Sequence, residues 1–313
     1  MDDQGIRGRI PVIFALIDIA LCTIVYGATI SDYFIFRFYE KKHFARKQFM
    51  TARDKNRFYA AMNNVETRGK IQNKDIFNEK YAKYLKRNSI AIPDCGEDAF
   101  ASFLNIHKTV FIKPIATGGG EGILKLATNT VEDAGMLFKE LSNKGKYVAE
   151  AGIVQHPQMA ALHPESVNSL RISTYFDGET VRILFALLRC GTGDCYMDNH
   201  MMGGIVMIVD TETGKVASLA SCKKELNLVK HPNTGIFLPG FQIPHWEKVV
   251  DMIEQVARSV HDIRYIGWDV AILDDDVCLI EANPSGDFNL FQEPMQKGCK
   301  AEMNNYIKDV RRK

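Results

Sequence analysis

Three oxygen-bearing side chains lie close together on two adjacent predicted strands near the C-terminus. Asp269 lies in YIGWDVAI, and Glu281 and Asn283 lie in LIEAN, after an acidic turn at residues 274–276. Apolar and polar residues alternate on both sides of that turn, which predicts a β-hairpin. Glu281 and Asn283 share a face because side chains alternate along a strand. Two carboxylates and an amide oxygen suit Mg²⁺, and the alternative is a structural hairpin whose acids face water.

A second candidate residue is Lys74, near the start of the amphipathic stretch NKDIFNEKYAKYL. The pattern predicts a helix that begins near Lys74. A cation at a helix N-terminus is disfavoured by the macrodipole, so Lys74 is more easily explained if it faces an anion. A solvated lysine is the alternative.

Lys113 follows the predicted strand 109–112 and precedes the glycine-rich turn TGGGEG and a strand at 123–126. Three successive glycines, Gly118, Gly119 and Gly120, let backbone N–H groups approach a phosphate closely. The turn lacks the Gly-Lys-Ser/Thr of a Walker loop. It could also be only a turn.

Arg171 lies among apolar neighbours in SVNSLRISTYF, which with TVRILFALLRC predicts two strands around an Asp177-Gly178 turn. A charged side chain in such a strand needs a partner or a ligand. Pairing with an acid and binding of a ligand both remain open. The preceding YVAEAGIVQHP predicts a strand that breaks at glycine and proline and can act as a hinge.

Composition narrows the class of protein. The chain has 313 residues, of which 46% are hydrophobic, enough for a large core in two domains or in one domain with sublobes. Its net charge is only +1, so we expect no nucleic-acid partner. Seven scattered cysteines form neither a disulfide framework nor a zinc pattern, which favours a cytoplasmic protein.

The N-terminal segment 10–30 is about as long as a membrane span and follows Arg7 and Arg9. Asp18 near its middle would be costly in lipid. We therefore expect a buried or packed helix, with membrane association as the alternative. Residues 31–64 predict further amphipathic helices rich in aromatic and basic residues.

The order of these features resembles that of the ATP-grasp family, and more closely its branch associated with sugar transfer and surface-polysaccharide gene clusters. The resemblance rests on SVNSLRI, GGI with DTETGK, HPNTG, GFQIPHW, YIGWDVAI and LIEANP, which are spread over most of the chain. It implies an α+β fold in which two β-rich lobes enclose ATP behind a helical N-terminal segment. The implied domains are a helical cap (1–70), a small lobe with the glycine-rich loop (71–152) and a large lobe with the metal site (153–313).

The resemblance also implies roles for individual residues. Lys74 and Lys113 would contact the phosphates, Gly118, Gly119 and Gly120 would close over them, and Glu150, Ala151 and Ile153 would form the adenine hinge. Asp269, Glu281 and Asn283 would bind Mg²⁺, and Arg171 would stabilise the transferred phosphoryl group or the acyl phosphate. His200 and Asn289 are further candidates for the acceptor side.

The implied activity is an ATP- and Mg²⁺-dependent carboxylate–amine ligase that acts through an acyl phosphate, on a cell-surface glycan or its precursor. A sugar phosphotransferase on the same fold and a non-catalytic nucleotide-binding module of a polysaccharide assembly complex are the alternatives. The helical character of residues 1–70 departs from the α/β domain that usually precedes the grasp lobes in such ligases.

Overall fold

The computed structural model describes residues 12–115, 121–198, 200, 203–222, 225–286 and 288–312. The helices are α1 (Val12–Tyr26), α2 (Ile30–Ile35), α3 (His43–Arg46), α4 (Ala52–Met62), α5 (Val65–Gln72), α6 (Lys74–Leu85), α7 (Glu97–Ile106), α8 (Ala134–Lys144), α9 (Pro157–Leu162), α10 (Trp246–Arg258), α11 (Asn289–Met295) and α12 (Lys300–Arg312). The strands are β1 (Ser89–Ile92), β2 (Thr109–Pro114), β3 (Leu124–Ala127), β4 (Tyr147–Ala151), β5 (Ser169–Phe176), β6 (Val181–Cys190), β7 (Ile205–Val209), β8 (Tyr265–Ile272) and β9 (Val277–Asn283). Helices together with two antiparallel sheets confirm the predicted α+β class.

The chain divides into two compact units. One combines Met1–Met62 with Asp287–Lys313, and the other is Asn63–Gly286. The domain boundaries drawn from the sequence at 70 and 152 stay predictions.

The first unit is helical and has an aromatic core. One cluster of this core consists of the buried side chains Cys22, Tyr26, Ala28, Tyr33, Phe36, Phe38 and Phe49. The C-terminal helices belong to this unit: Lys300 Nζ lies 2.7 Å from Asp54 Oδ2, and the Gln292 amide bonds the backbone N–H and C=O of Met50 at 2.8 and 3.2 Å. These contacts join α11 and α12 to the helical N-terminal segment.

Helix α1 confirms the predicted helix but buries only one side of it. Cys22 and Tyr26 are its buried residues, and Asp18 on the same side pairs with Arg46. The expected buried or packed helix is therefore packed on this side, while the rest of its apolar surface is exposed. None of the described helices has both the length and the apolar character needed to cross a membrane.

The smaller sheet of the second unit has the strand order β1-β4-β2-β3. Alternation along β2 buries Val110 and Ile112 among apolar residues of α7 and α8. Lys113 therefore lies on the opposite face of the sheet from Val110 and Ile112.

The larger sheet has the strand order β7-β6-β5-β8-β9. Trp268 and Val270 of β8 face a core that includes the apolar side of α10. Because the strand alternates, Asp269 between them faces the other way. The predicted hairpin around the acidic turn is confirmed, since β8 pairs with β9.

Candidate active site

The large sheet aligns a row of charged residues across three neighbouring strands. Arg171 of β5 is opposite Asp269 of β8, which is opposite Glu281 of β9. Residues opposite each other in antiparallel strands share a face and lie about 5 Å apart at Cβ. Pairing therefore brings together residues that are far apart in the sequence.

Asp269 is bound by two guanidinium groups. Arg171 donates from Nε to Oδ1 and from Nη2 to Oδ2, the latter at 2.9 Å, and Arg189 Nη2 donates to Oδ2 at 3.0 Å. Burial raises the pKa of the Asp269 carboxyl, but the charges of Arg171 and Arg189 outweigh burial and bring this pKa to about 2. Of the two possibilities that the sequence left open for Arg171, pairing with an acid is thus observed.

Gly267 makes room for the Arg171 side chain. A Cβ at position 267 would lie 3.1 Å from Arg171 Cδ and 3.3 Å from the Gly286 Cα. Both contacts are tighter than ordinary van der Waals distances. The absence of a side chain at position 267 thus leaves space for the arginine that holds Asp269.

Glu281 is the accessible carboxylate of the row. Half of its side chain is exposed, and its Oε1 lies 4.0 Å from Arg171 Nη2. Loss of hydration and the neighbouring charge of Asp269 raise the pKa of the Glu281 carboxyl, and Arg171 opposes this rise only in part. Two adjacent carboxylates that repel each other are the arrangement that a divalent cation stabilises.

The donor set fits Mg²⁺. No three His, Cys, Asp or Glu side chains form a metal-binding group in the described part of the chain, so the predicted site needs the Asn283 amide oxygen as its third donor. Asn283 Oδ1 accepts one hydrogen bond, from Ser285 N at 3.1 Å, and an amide oxygen has two lone pairs. The guanidinium groups take three of about four acceptor positions on Asp269, so an oxygen lone pair remains there as well.

Lys113 of the small sheet is held by a buried acid. Its Nζ lies 2.7 Å from Glu150 Oε2, and the other oxygen of Glu150 accepts from Asn78 Nδ2 at 3.1 Å. Burial raises the pKa of the Glu150 carboxyl, but the charges of Lys113 and Arg87 outweigh burial and lower this pKa to about 2. The Glu150 side chain therefore positions the lysine, a role that the hinge prediction did not include.

Arg87 connects the two sheets. Its Nε donates to Glu150 Oε2 at 3.0 Å, and its Nη1 and Nη2 donate to the carbonyl oxygens of Leu279 and Ile280 at 2.7 and 3.0 Å. The side chain is only 4% exposed. Arg87 thus links the acid that holds Lys113 to the strand residues immediately before Glu281.

Lys74 begins α6, as the sequence predicts, and Asn73 caps the helix. The Lys74 Nζ donates to the carbonyl of Pro114, the residue after Lys113, at 2.9 Å. Burial lowers the pKa of the Lys74 ammonium; Glu281 acts against this change, and Lys113 adds to it. Both lysines are therefore within electrostatic range of Glu281, and an anion between these cations would be favoured.

The remaining predicted nucleotide contacts divide into two groups. Ala151 ends β4 with its N–H bonded to the Asn88 carbonyl at 2.9 Å, and Ile153 lies two residues beyond this strand. Ala151 N–H is thus already used inside the protein. Gly118, Gly119 and Gly120 lie outside the described residues.

The two acceptor-side candidates lie in different units. His200 is 6% exposed, with Nδ1 at 3.2 Å from the Gly204 carbonyl. Asn289 belongs to the helical unit, where its Oδ1 accepts from Lys55 Nζ at 2.8 Å.

Sequence reasoning missed Arg189 and Arg87. Arg189 lies in an apolar strand, and the argument that singled out Arg171 would have found it there too. Arg87 precedes β1 in a polar stretch that gives no such signal.

Comparison with known proteins supports the same fold. The family model described as sugar-transfer associated ATP-grasp matches residues 38–308. No curated protein matches the sequence.

Solved structures resemble the chain at low identity. The ATP-grasp ligase PsnB complexed with a phosphomimetic variant of its minimal precursor, Mg and ADP has a TM-score of 0.50 at 14% identity, over 96% of this chain and 75% of that chain. PsnB complexed with its minimal precursor has a TM-score of 0.49 at 14% identity, over 80% of this chain and 63% of that chain. D-alanyl-alanine synthetase A from Vibrio cholerae O1 biovar eltor has a TM-score of 0.48 at 12% identity, over 77% of this chain and 65% of that chain. In the last two matches the chain covers less than two thirds of the other protein's length. Because the family model covers most of the sequence, the chain belongs to the sugar-transfer associated ATP-grasp family.

Proposed function

We propose that the protein is an ATP- and Mg²⁺-dependent carboxylate–amine ligase that acts in the cytoplasm on a cell-surface glycan or its precursor. The observation that carries the proposal is the set of charges at one site. Lys74 Nζ donates to the carbonyl next to Lys113, and Arg87 links the acid that holds Lys113 to the strand residue before Glu281. Such a set suits a nucleotide phosphate chain neutralised by lysines on one side and by a metal on the other.

The acids and the amide would hold the metal. Glu281 and Asn283 offer oxygen donors on one face of β9, and Asp269 offers its remaining lone pair from β8. Mg²⁺ bound there would neutralise charge on the phosphate oxygens during transfer. Arg171 and Arg189 keep Asp269 ionised and fixed in direction, which prepares this ligand without motion.

The proposed chemistry has two steps. A substrate carboxylate oxygen attacks the γ-phosphorus, the bond to the β–γ bridging oxygen breaks, and ADP leaves. An amine nitrogen then attacks the acyl carbon, inorganic phosphate leaves, and the amine loses a proton as the amide forms. The protein contributes mainly positioning and electrostatic stabilisation, in which Lys113, fixed by Glu150, is the best-placed cation.

The amide product supplies the test. The purified protein is incubated with ATP, Mg²⁺ and pairs of uronic acids and amino acids, and ADP, phosphate and product masses are recorded with Glu281→Ala beside it. A ligase forms an amide and releases phosphate only when both substrates are present. A phosphorylated sugar formed without an amine would instead show a phosphotransferase, and metal-dependent ATP binding without turnover of any pair would show a nucleotide-binding module.

A further inference from the structure

Helix α1 presents an unusually large apolar surface to its surroundings. Its exposed large apolar side chains are Val12, Ile13, Phe14, Leu16, Ile17, Leu21, Ile24 and Val25, and their exposed fractions run from 48% to 75%. Contiguous exposed apolar surface of this kind marks an interaction site.

The width of this surface distinguishes between possible occupants. At about 100° per residue, the exposed apolar positions cover roughly 220° of the helix circumference. An ordinary surface helix carries an apolar stripe of about 100° or somewhat more, so the exposed arc of α1 is roughly twice as wide. A fluid apolar medium can cover the whole exposed arc.

The acid of α1 does not oppose burial in such a medium. Asp18 lies on the protein side, where Arg46 Nη1 and Nη2 bind its two oxygens at 2.6 and 2.8 Å and Tyr33 Oη donates to it at 2.9 Å. The cost that Asp18 would impose in lipid is therefore met inside the helical unit.

Cations adjoin α1. Arg53 is exposed and donates from Nη2 to the Val25 carbonyl at 2.8 Å, at the C-terminal end of the helix.

Helix α3 contacts α1 through His43, whose Nδ1 lies 2.6 Å from Tyr26 Oη. Exposed Lys42 and Lys47 flank α3, and Phe44 within it is 80% exposed. Basic side chains beside exposed apolar and aromatic ones are complementary to an anionic lipid surface.

We propose that α1 and the flanking basic segment 42–53 dock the protein on an anionic phospholipid bilayer, with the exposed arc of α1 in the headgroup and upper acyl region. We call this surface the α1 face. Its eight large apolar side chains supply the burial, and Lys42, Lys47 and Arg53 interact with lipid phosphates. This inference is independent of the proposed ligase activity, because the α1 face belongs to the helical unit and uses no residue of the candidate site.

Flotation with vesicles tests the proposal. The full chain is mixed with vesicles of phosphatidylcholine and phosphatidylglycerol in equal parts, and separately with phosphatidylcholine alone. We expect binding to the anionic vesicles that weakens as salt is raised, since screening reduces attraction to the headgroups. Absence of binding to the anionic vesicles would overturn the proposal.

Variants test which surface binds. Ile13→Glu/Ile24→Glu places two carboxylates on the α1 face at positions that are 68% and 74% exposed, so the fold loses little packing there. We expect vesicle partitioning to fall at least tenfold, because two apolar side chains that would gain free energy on leaving water are replaced by carboxylates. Lys42→Glu/Lys47→Glu should reduce binding to anionic vesicles only. Ile106→Glu, at an equally exposed site at the end of α7, is the matched control and should bind as the parent does.

The oligomeric state provides the contrary outcome. Light scattering is measured on the parent and on Ile13→Glu/Ile24→Glu at several concentrations. A dimer that the double variant dissociates, together with equal vesicle binding by both proteins, would show that a second copy covers the α1 face. Glu281→Ala should float like the parent, which separates failure of this proposal from failure of the ligase proposal.

Discussion

Lys113 Nζ lies 2.7 Å from Glu150 Oε2, and Arg87 Nε donates to the same oxygen at 3.0 Å. The carboxylate is 5% exposed, so this lysine is held by a buried partner rather than by solvent. The direction of the ammonium group is thereby fixed before any nucleotide arrives, which reduces the entropy lost on binding.

Lys113→Ala should lower ATP turnover about 100- to 1,000-fold, because loss of one charge-stabilising donor has this effect in other enzymes. Steady-state ADP release measures it. Lys144→Ala removes an equally charged side chain from the exposed pair with Glu140 on α8 and should leave turnover unchanged. Near-normal turnover by a folded Lys113→Ala protein would exclude a phosphate contact.

Glu281→Gln keeps the shape of the side chain and removes its charge. If Glu281 is the accessible metal ligand, the variant should need far more Mg²⁺ for half-maximal turnover and should lose about 100-fold in rate at low Mg²⁺. A Mg²⁺ titration of ADP release measures both effects.

Asp276→Asn is the control for Glu281→Gln. Asp276 lies in the same hairpin but pairs with Lys86 at the exposed turn. The control should keep the parent titration curve. An unchanged Mg²⁺ requirement in Glu281→Gln would contradict the metal assignment.

Glu150 should make the stability of the fold depend on acid pH. Its pKa is about 2 in the folded protein, below the ordinary value of 4.5. The ionised form is favoured in the fold, so its contribution is complete above pH 4.5 and is lost as the pH falls towards 2. The contribution is about 3 kcal/mol at neutral pH.

Urea unfolding of the parent and of Glu150→Gln at about pH 6 and about pH 3 tests this dependence. The stability difference between the two proteins should shrink in acid. A difference that is the same at both pH values would mean that the ion pair with Lys113 and Arg87 does not stabilise the fold.

Alternation of side chains was sufficient to predict that Glu281 and Asn283 share a face, since strand geometry is local. The partner of Arg171 could not be predicted in the same way, because Asp269 lies 98 residues away and only strand pairing places them opposite each other. For α1, composition predicted a helix. Its exposure depends on which surfaces the other helices of its unit cover, and no local pattern contains that information.

Arg87 was missed for a related reason, since the residues that it joins lie 63 and 192 residues away. Its contacts make it a positioning residue rather than a catalytic one. Arg87→Met should destabilise the fold by about 3 kcal/mol, because it leaves Glu150 with one cation fewer in a buried site. It should also lower turnover at least tenfold under conditions where the protein is fully folded, because β9 and Lys113 lose their common link.

Two measurements separate positioning by Arg87 from stability alone. Arg87→Lys keeps the charge and one donor but lacks the two Nη groups that bond the carbonyls of Leu279 and Ile280. Compared with Arg87→Met, it should therefore recover more of the stability than of the turnover. The Mg²⁺ requirement should rise in Arg87→Met and should stay normal in Arg258→Met, whose guanidinium bonds an exposed carbonyl of Glu179. If turnover and stability instead recover in parallel in Arg87→Lys and the Mg²⁺ requirement never changes, Arg87 supports only the fold.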